Sequence, residues 1–273
     1  MTRDLPWRRT RDPWRVLVAE LACQQTQAAR AVAAYERCCE RFETPTACAA
    51  APLAEVLEAW RGLGYYRRAR ALHAAASTIV AVHGGVVPDD LDELLALPGV
   101  GPYTARAVLA FAYERDVGIV DTNVARVLAR AVANRPLGAR ECQVLADDLV
   151  PDGRGWSHNQ ALLDLGAAHC KSVPRCDGCP LRSCCVWRRS GDHDDPASRT
   201  AHVSRRQPRF AGSDREGRGR LLAAALDGPV PDGALAAATG WAEDPERARR
   251  VAAQLVAEGL LAERDGSLVV AGA

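Results

Sequence analysis

Residues 97–101 read Leu-Pro-Gly-Val-Gly, between one helix-patterned stretch ending at Leu97 and another beginning at Tyr103. Two glycines one residue apart let the chain reverse tightly, and they leave backbone N–H groups unpaired at the start of the following helix. Free amides at a helix N-terminus form a ready phosphate site. The stretch reads as a helix–hairpin–helix, with Gly99 and Gly101 in the turn, that grips a nucleic-acid backbone without reading its sequence. It reads equally well as a plain helix connection with glycines at the cap.

Outward from this turn, the apolar spacing up to residue 187 is helical. It runs from Pro13 to about Ala34, then over 53–60, 67–82, 91–97, 103–113, 123–133 and 139–149. No alternating strands interrupt it, so the expected class is all-α, in two helical lobes. One lobe is expected over 8–115 with the hairpin, the other over 1–7 and 116–189. Residues 190–204 are polar and read as a linker. Beyond them, 205–273 offer helices over 218–226 and 246–258. Asp265-Gly266 then sits between two short apolar stretches, as in a β-hairpin. That order suggests a small winged-helix-like module.

The 273 residues are ample for a buried core, and the 48% hydrophobic and 25% charged fractions fit an ordinary globular chain. Apolar runs fall well short of the about 18 residues of a membrane span, and the N-terminus is too charged for a secretory signal. The expectation is a cytoplasmic monomer without a membrane partner. Net charge is only +1. Lys171 is the sole lysine among 35 basic residues, so amine-based nucleophilic catalysis has one candidate.

Five of the ten cysteines fall between residues 170 and 185. Cys170, Cys176, Cys179 and Cys185 are spaced as a four-thiolate set, with Cys184 as a rival for the last place. Without a secretory signal such a cluster reads as a metal or iron–sulfur site before a disulfide framework. Spacing alone leaves zinc and a [4Fe–4S] cluster open.

Two carboxylates stand out. Glu20 interrupts the apolar stretch Val16–Ala22. Asp121 follows Val117-Gly118-Ile119-Val120 and precedes a helix, where it serves as a cap on the plainest reading. Singly, each is explained by structure alone.

Taken together, LPW (5–7), ELACQQTQ (20–27), RGLGYYRRAR (61–70), LPGVGPYTA (97–105), VDTNV (120–124), NQALLDLGA (159–167) and the cysteine loop resemble the helix–hairpin–helix, iron–sulfur DNA glycosylases. Within that superfamily the pattern is similar to the A/G-specific adenine DNA glycosylases of the MutY type. The resemblance spans about residues 5–187.

It implies an enzyme that flips adenine mispaired with 8-oxoguanine or guanine out of double-stranded DNA and hydrolyses its glycosidic bond. Glu20 matches the general acid. Asp121 matches the carboxylate that stabilises the sugar cation, and Asn123 its neighbouring asparagine. Tyr103 stands where bifunctional relatives carry a Schiff-base lysine, which implies no efficient β-lyase. Gln25 and Tyr65 match residues that wedge into the duplex, and Trp7 and Gln160 match the lining of the adenine pocket. Cys170, Cys176, Cys179 and Cys185 match the ligands of a [4Fe–4S] cluster. The division of labour needs Glu20 raised in pKa by apolar surroundings and Asp121 kept ionised by hydrogen bonds at a helix start. A thymine or uracil mismatch glycosylase on the same scaffold is the alternative, and a non-catalytic iron–sulfur DNA-binding protein a further one.

The chain departs from the family pattern in three places. The first cysteine gap is five residues rather than six, with His169 at the usual spacing. Asp121-Thr122-Asn123 replaces Asp-Gly-Asn. Residues 205–273 do not resemble the Nudix-like domain that reads 8-oxoguanine in many relatives. The expectation is instead that this module clamps the duplex through phosphates. Arg67, Arg68 and Arg70 near the GLGYY stretch, and Arg205, Arg206, Arg209, Arg215, Arg218 and Arg220 after the linker, are the candidate phosphate contacts.

Overall fold

The computed structural model describes residues 3–203 and 209–272. The chain forms two compact units, one of Met1–Val16, Asp89–Leu91 and Gly101–Arg206, the other of Leu17–Pro88, Asp92–Val100 and Gln207–Ala273. Among the described residues there are α1 (Pro13–Cys23), α2 (Ala28–Arg41), α3 (Pro45–Ala50), α4 (Leu53–Ala59), α5 (Arg67–His83), α6 (Leu91–Leu95) and α7 (Pro102–Phe111). They continue with α8 (Thr122–Val127), α9 (Ala139–Asp148), α10 (Gly155–Ala168), α11 (Val186–Ser190), α12 (Asp214–Asp227), α13 (Leu235–Thr239) and α14 (Pro245–Ala257). The expected all-α class holds, and the only strands among the described residues are β1 (Val230–Pro231), β2 (Leu261–Arg264) and β3 (Ser267–Val270). None of the described helices is long and apolar enough to cross a membrane.

In the second unit Leu17, Leu21, Leu57, Trp60, Leu72, Ile79 and Leu94 are fully buried. Their helical spacing on α4 and α5 gives each of these helices an apolar face to hide, whereas α1 is buried on every side from Val16 to Ala22. The stretch 13–34, expected as one run, breaks after Cys23. Gln25 takes a left-handed φ of 53°, and α2 starts at Ala28. Thr44 and Pro45 begin α3: the Thr44 hydroxyl accepts the Ala47 amide at 3.1 Å and Pro45 occupies the first turn.

The C-terminal module belongs to this second unit. Its sheet runs β1-β3-β2 and is antiparallel throughout. Arg264 pairs with Ser267 across the turn, whose residues Asp265 and Gly266 both have positive φ, 50° and 71°. This is the two-residue hairpin that its sequence suggested. Gly217 is required where α12 meets Trp241, because a Cβ there would lie 2.2 Å from the indole. The module packs against α4 through α12. Arg61 donates to Asp227 at 2.9 Å, and Arg218 pairs with Glu258.

The first unit is built on α7, α8 and α10. Asn159, buried on α10, accepts from the Ile119 amide at 3.0 Å and donates to the Val117 carbonyl at 2.9 Å, fixing the segment before Asp121. A π-helical turn, Leu128–Ala133, follows α8. The polar stretch 190–204, expected as a linker, is only partly one. Pro196, Ala197 and Thr200 are buried, Asp195 binds Arg130 at 2.5 Å, and the Ala201 amide donates to the Leu137 carbonyl. Ser204, Arg205 and Arg206 lie outside the described residues.

Candidate active site

Asp121 caps α8. Its Oδ1 accepts the Asn123 and Val124 amides at 2.8 and 2.7 Å, and its Oδ2 accepts the Asn123 side-chain amide at 2.6 Å. Arg126 donates to Asn123 Oδ1 at 2.7 Å, to the Thr122 hydroxyl at 3.2 Å and to the Cys170 carbonyl at 2.7 Å. A hydrogen-bonded chain thus joins the cysteine loop to the Asp121 carboxylate. Part of the residue's surface stays open, yet its carboxyl is largely surrounded by protein. Burial pushes the carboxyl above its ordinary range. The two amides, Asn123 and the Arg126 charge pull the other way without cancelling it. The expected hydrogen bonds are present, but they do not outweigh burial.

Gly166 is what lets α10 come this close. A Cβ there would lie 2.6 Å from Asn123 Cβ and 2.8 Å from its carbonyl oxygen. Gln160 lies on the same helix, 5% exposed, and its Oε1 has no hydrogen-bond partner among the described residues. A buried amide oxygen left unpaired costs roughly 1–3 kcal/mol, so it marks a place where a donor belongs. One helical turn onward, Asp164 accepts Arg8 at 2.8 and 2.9 Å and Arg3 at 2.7 Å. Burial works to raise the Asp164 carboxyl, but the two guanidiniums prevail and hold it below its ordinary value. This grip pins the short helical turn Pro6–Arg9, and with it the half-buried Trp7, to the helix that carries Gln160.

Tyr103 is half-buried in the first turn of α7, where Gly101 is the N-cap residue. Gly99 has a φ of 77°, and a Cβ there would lie 2.6 Å from Ala71 Cβ; no other residue fits. The Gln24 side chain donates to the Gly99 carbonyl at 3.1 Å.

In the second unit Glu20 is 6% exposed on α1, between the fully buried Ala19 and Leu21. Gln25 is exposed and Tyr65 half-buried, both in left-handed backbone, with φ of 53° and 48°. Such a conformation is uncommon for residues with a Cβ and clusters at functional turns. The Tyr65 hydroxyl accepts Arg215 of the C-terminal module at 2.9 Å.

Cys170, Cys176, Cys179 and Cys185 line one apolar cavity. Cys184 does not: it is exposed. His169 also borders the cavity. Buried Arg130 donates to Cys170 Sγ at 3.4 Å and to the Lys171 carbonyl at 2.6 Å. Among the described residues no three metal-ligating side chains converge on a single ion position.

The arginines expected on phosphates divide. Arg68 is buried and bonded to backbone carbonyls, so it is withdrawn from that role. Arg215, Arg218 and Arg220 are engaged by Tyr65, Glu258 and Glu216. Arg67, 3.8 Å from Glu258, is exposed, as are Arg70, Arg209 and Arg220. Arg205 and Arg206 lie outside the described residues.

Residues 18–150 match the family model described as HhH-GPD superfamily base excision DNA repair protein. An "Adenine DNA glycosylase" of Mycolicibacterium smegmatis is 44% identical over 276 residues, covering 99% of this chain and 92% of that one. The corresponding protein of Mycobacterium tuberculosis is 43% identical, covering 99% and 90%. Among solved structures, a thermostable thymine-DNA glycosylase superposes with a TM-score of 0.63 at 29% identity, covering 69% of this chain and 89% of that one. A trapped endonuclease III–DNA covalent intermediate gives 0.60 at 30%, covering 66% and 86%.

Proposed function

We propose that this chain, which belongs to the HhH-GPD superfamily of base excision DNA repair proteins, acts as an adenine DNA glycosylase on adenine mispaired with 8-oxoguanine or guanine. The enzyme extrudes the adenine and hydrolyses its glycosidic bond. The observation within the site that carries this reading is the unpaired, buried Oε1 of Gln160, an acceptor suited to the exocyclic amine of adenine. Trp7, held by the grip of Arg3 and Arg8 on Asp164, supplies a flat apolar surface for the base.

Glu20, 6% exposed on α1, donates the proton that makes adenine a better leaving group. Asp121 faces the positive charge that grows on the sugar. Burial leaves its negative charge poorly compensated in the free enzyme, so the sugar cation is its strongest partner. Asn123 and Arg126 hold the carboxylate in place. Tyr103 offers no amine, so release proceeds by hydrolysis without a Schiff-base intermediate.

The thiolates of Cys170, Cys176, Cys179 and Cys185 would hold a [4Fe–4S] cluster. The donor set fits: four soft ligands share one cavity, as a multi-atom group requires, and Arg130 is placed to hydrogen-bond a sulfur. When bound, the group braces the loop whose Cys170 carbonyl anchors Arg126. Exposed Arg67, Arg70 and Arg209, with Gly99 and Gly101 at the hairpin, would meet backbone phosphates. We place the enzyme in the cytoplasm, acting as a monomer.

The test is the identity of the released base. Duplexes carrying A:8-oxoguanine, A:G, A:T and T:G are incubated with the iron-loaded protein, with and without borohydride. Free adenine from the first two, with no trapped adduct, is expected. Thymine from T:G without adenine from either mismatch would replace this reading with the pyrimidine one.

A further inference from the structure

We infer that Arg68 is a positioning residue whose guanidinium locks two separate turns, 24–25 and 64–65, into a single rigid wedge. The inference rests on the reading that Gln25 and Tyr65 enter the duplex when the base leaves it. Arg68 lies at the start of α5 and is 7% exposed. One terminal nitrogen donates to the carbonyls of Leu21 at 3.3 Å, Ala22 at 2.7 Å and Gln24. The other donates to the Gly64 carbonyl at 3.0 Å, and Nε to the Tyr65 carbonyl at 3.3 Å. The plane stacks near the rings of Tyr65, at 5.3 Å, and Trp60, at 5.6 Å.

Every acceptor lies in one of the two turns or in the helical turn just before it. Leu21 and Ala22 lie in the last turn of α1, where free carbonyls form the negative pole of the helix, and Gln24 follows it immediately before Gln25. Gly64 and Tyr65 form the second turn. Both wedge residues sit in left-handed backbone, a strained choice that persists only when neighbours over-determine it. A planar five-donor fork satisfies carbonyls from two directions at once; a lysine ammonium has neither the span nor the planarity. No carboxylate pairs with Arg68 among the described residues, and burial pushes its guanidinium down to about 10. A buried cation without an anionic partner is a poor route to stability, so its presence here points to geometry. Glu20 precedes the first acceptor by one residue on α1, so the clamp also steadies the segment that carries the acid.

Arg68→Lys and Arg68→Met, with Gln25→Ala and Tyr65→Ala as references, test this on two DNA substrates. One is an A:G duplex with 2-aminopurine beside the target. The other carries the adenine as an unpaired bulge, already free of its stack. On the duplex, Arg68→Met is expected to lose about 30- to 100-fold in single-turnover release and the 2-aminopurine signal, as a misplacement of about 1 Å commonly does. On the bulge it loses less than about threefold, and Arg68→Lys recovers only part of the duplex rate. Equal losses on both substrates would overturn the proposal, since they mean a general structural role. If Arg68→Met fails to fold, Arg68→Lys decides on the same two substrates. Should Gln25→Ala and Tyr65→Ala both keep the wild-type duplex rate, the wedge reading itself fails and the proposal with it.

Discussion

The surroundings of Asp121 and the turns at Gln25 and Tyr65 are positioned in opposite ways. Asp121 sits in relaxed cap geometry, and its fixity comes from many partners: two amides, Asn123, Arg126 behind it, and α10 drawn close by Gly166. Gln25 and Tyr65 have strained backbone, and the turns they occupy share one guanidinium. A group that must meet a developing charge gains from a closed network that does not move. A residue that must replace an extruded base gains from a turn held out of its resting conformation. On the proposed roles, this contrast sets the chemistry apart from base extrusion, and substitutions should divide accordingly.

The largest effect belongs to Asp121→Asn. Single-turnover adenine release should fall by about 10³-fold or more, while a wedge signal from 2-aminopurine persists. Stability should move differently. The folded carboxyl stands above its ordinary value of 3.8, so the stability it confers is complete below that value and lost as pH rises through the folded one. Urea titrations from pH 4 to 7 should therefore show the variant gaining on wild type as pH rises. A gap that widens in favour of wild type would contradict the burial argument.

Gly166→Ala comes next. The added Cβ must displace Asn123, with a cost of roughly 1–3 kcal/mol in unfolding free energy. Release should drop about 10- to 100-fold, because the cap that holds Asp121 moves with Asn123. The A:G duplex and the bulged substrate should suffer alike, which distinguishes this site from the wedge. Unequal losses would join what the comparison separates.

Gln160→Met should lower release of adenine by about tenfold while leaving stability unchanged or slightly higher, because the unpaired Oε1 disappears. A clear loss of stability would mean that the amide is already satisfied. The smallest effect concerns the cysteines. Cys184→Ser should leave iron content as in wild type, and Cys185→Ser should reduce it, since only Cys185 faces the shared cavity. The reverse pattern would reassign the fourth ligand.

Much of this architecture was legible because its signals are local. Gly99 and Gly101 announce the hairpin, Asp265-Gly266 announces the β-turn, and Asp121 sits before an apolar helical run as a cap does. The rest depends on partners distant in sequence. The run from Pro13 looks continuous to Ala34 because nothing near Cys23 shows that Arg68 will take its carbonyls. Arg68 itself reads as one more surface arginine in a basic stretch. Asp195 and Thr200 look like linker until Arg130 and Leu137 meet them. Arg126 and Gly166 matter through contacts about 40 residues apart in the chain, which no periodicity reveals.

The most direct test of the division is to record 2-aminopurine emission and adenine release on the same samples of Asp121→Asn and Arg68→Met bound to the A:G duplex. Asp121→Asn is expected to unstack the site without releasing adenine. Arg68→Met is expected to fail to unstack the duplex yet release adenine from the bulged substrate. Joint loss of both signals in both variants would contradict this division, because chemistry and extrusion would then rest on one framework.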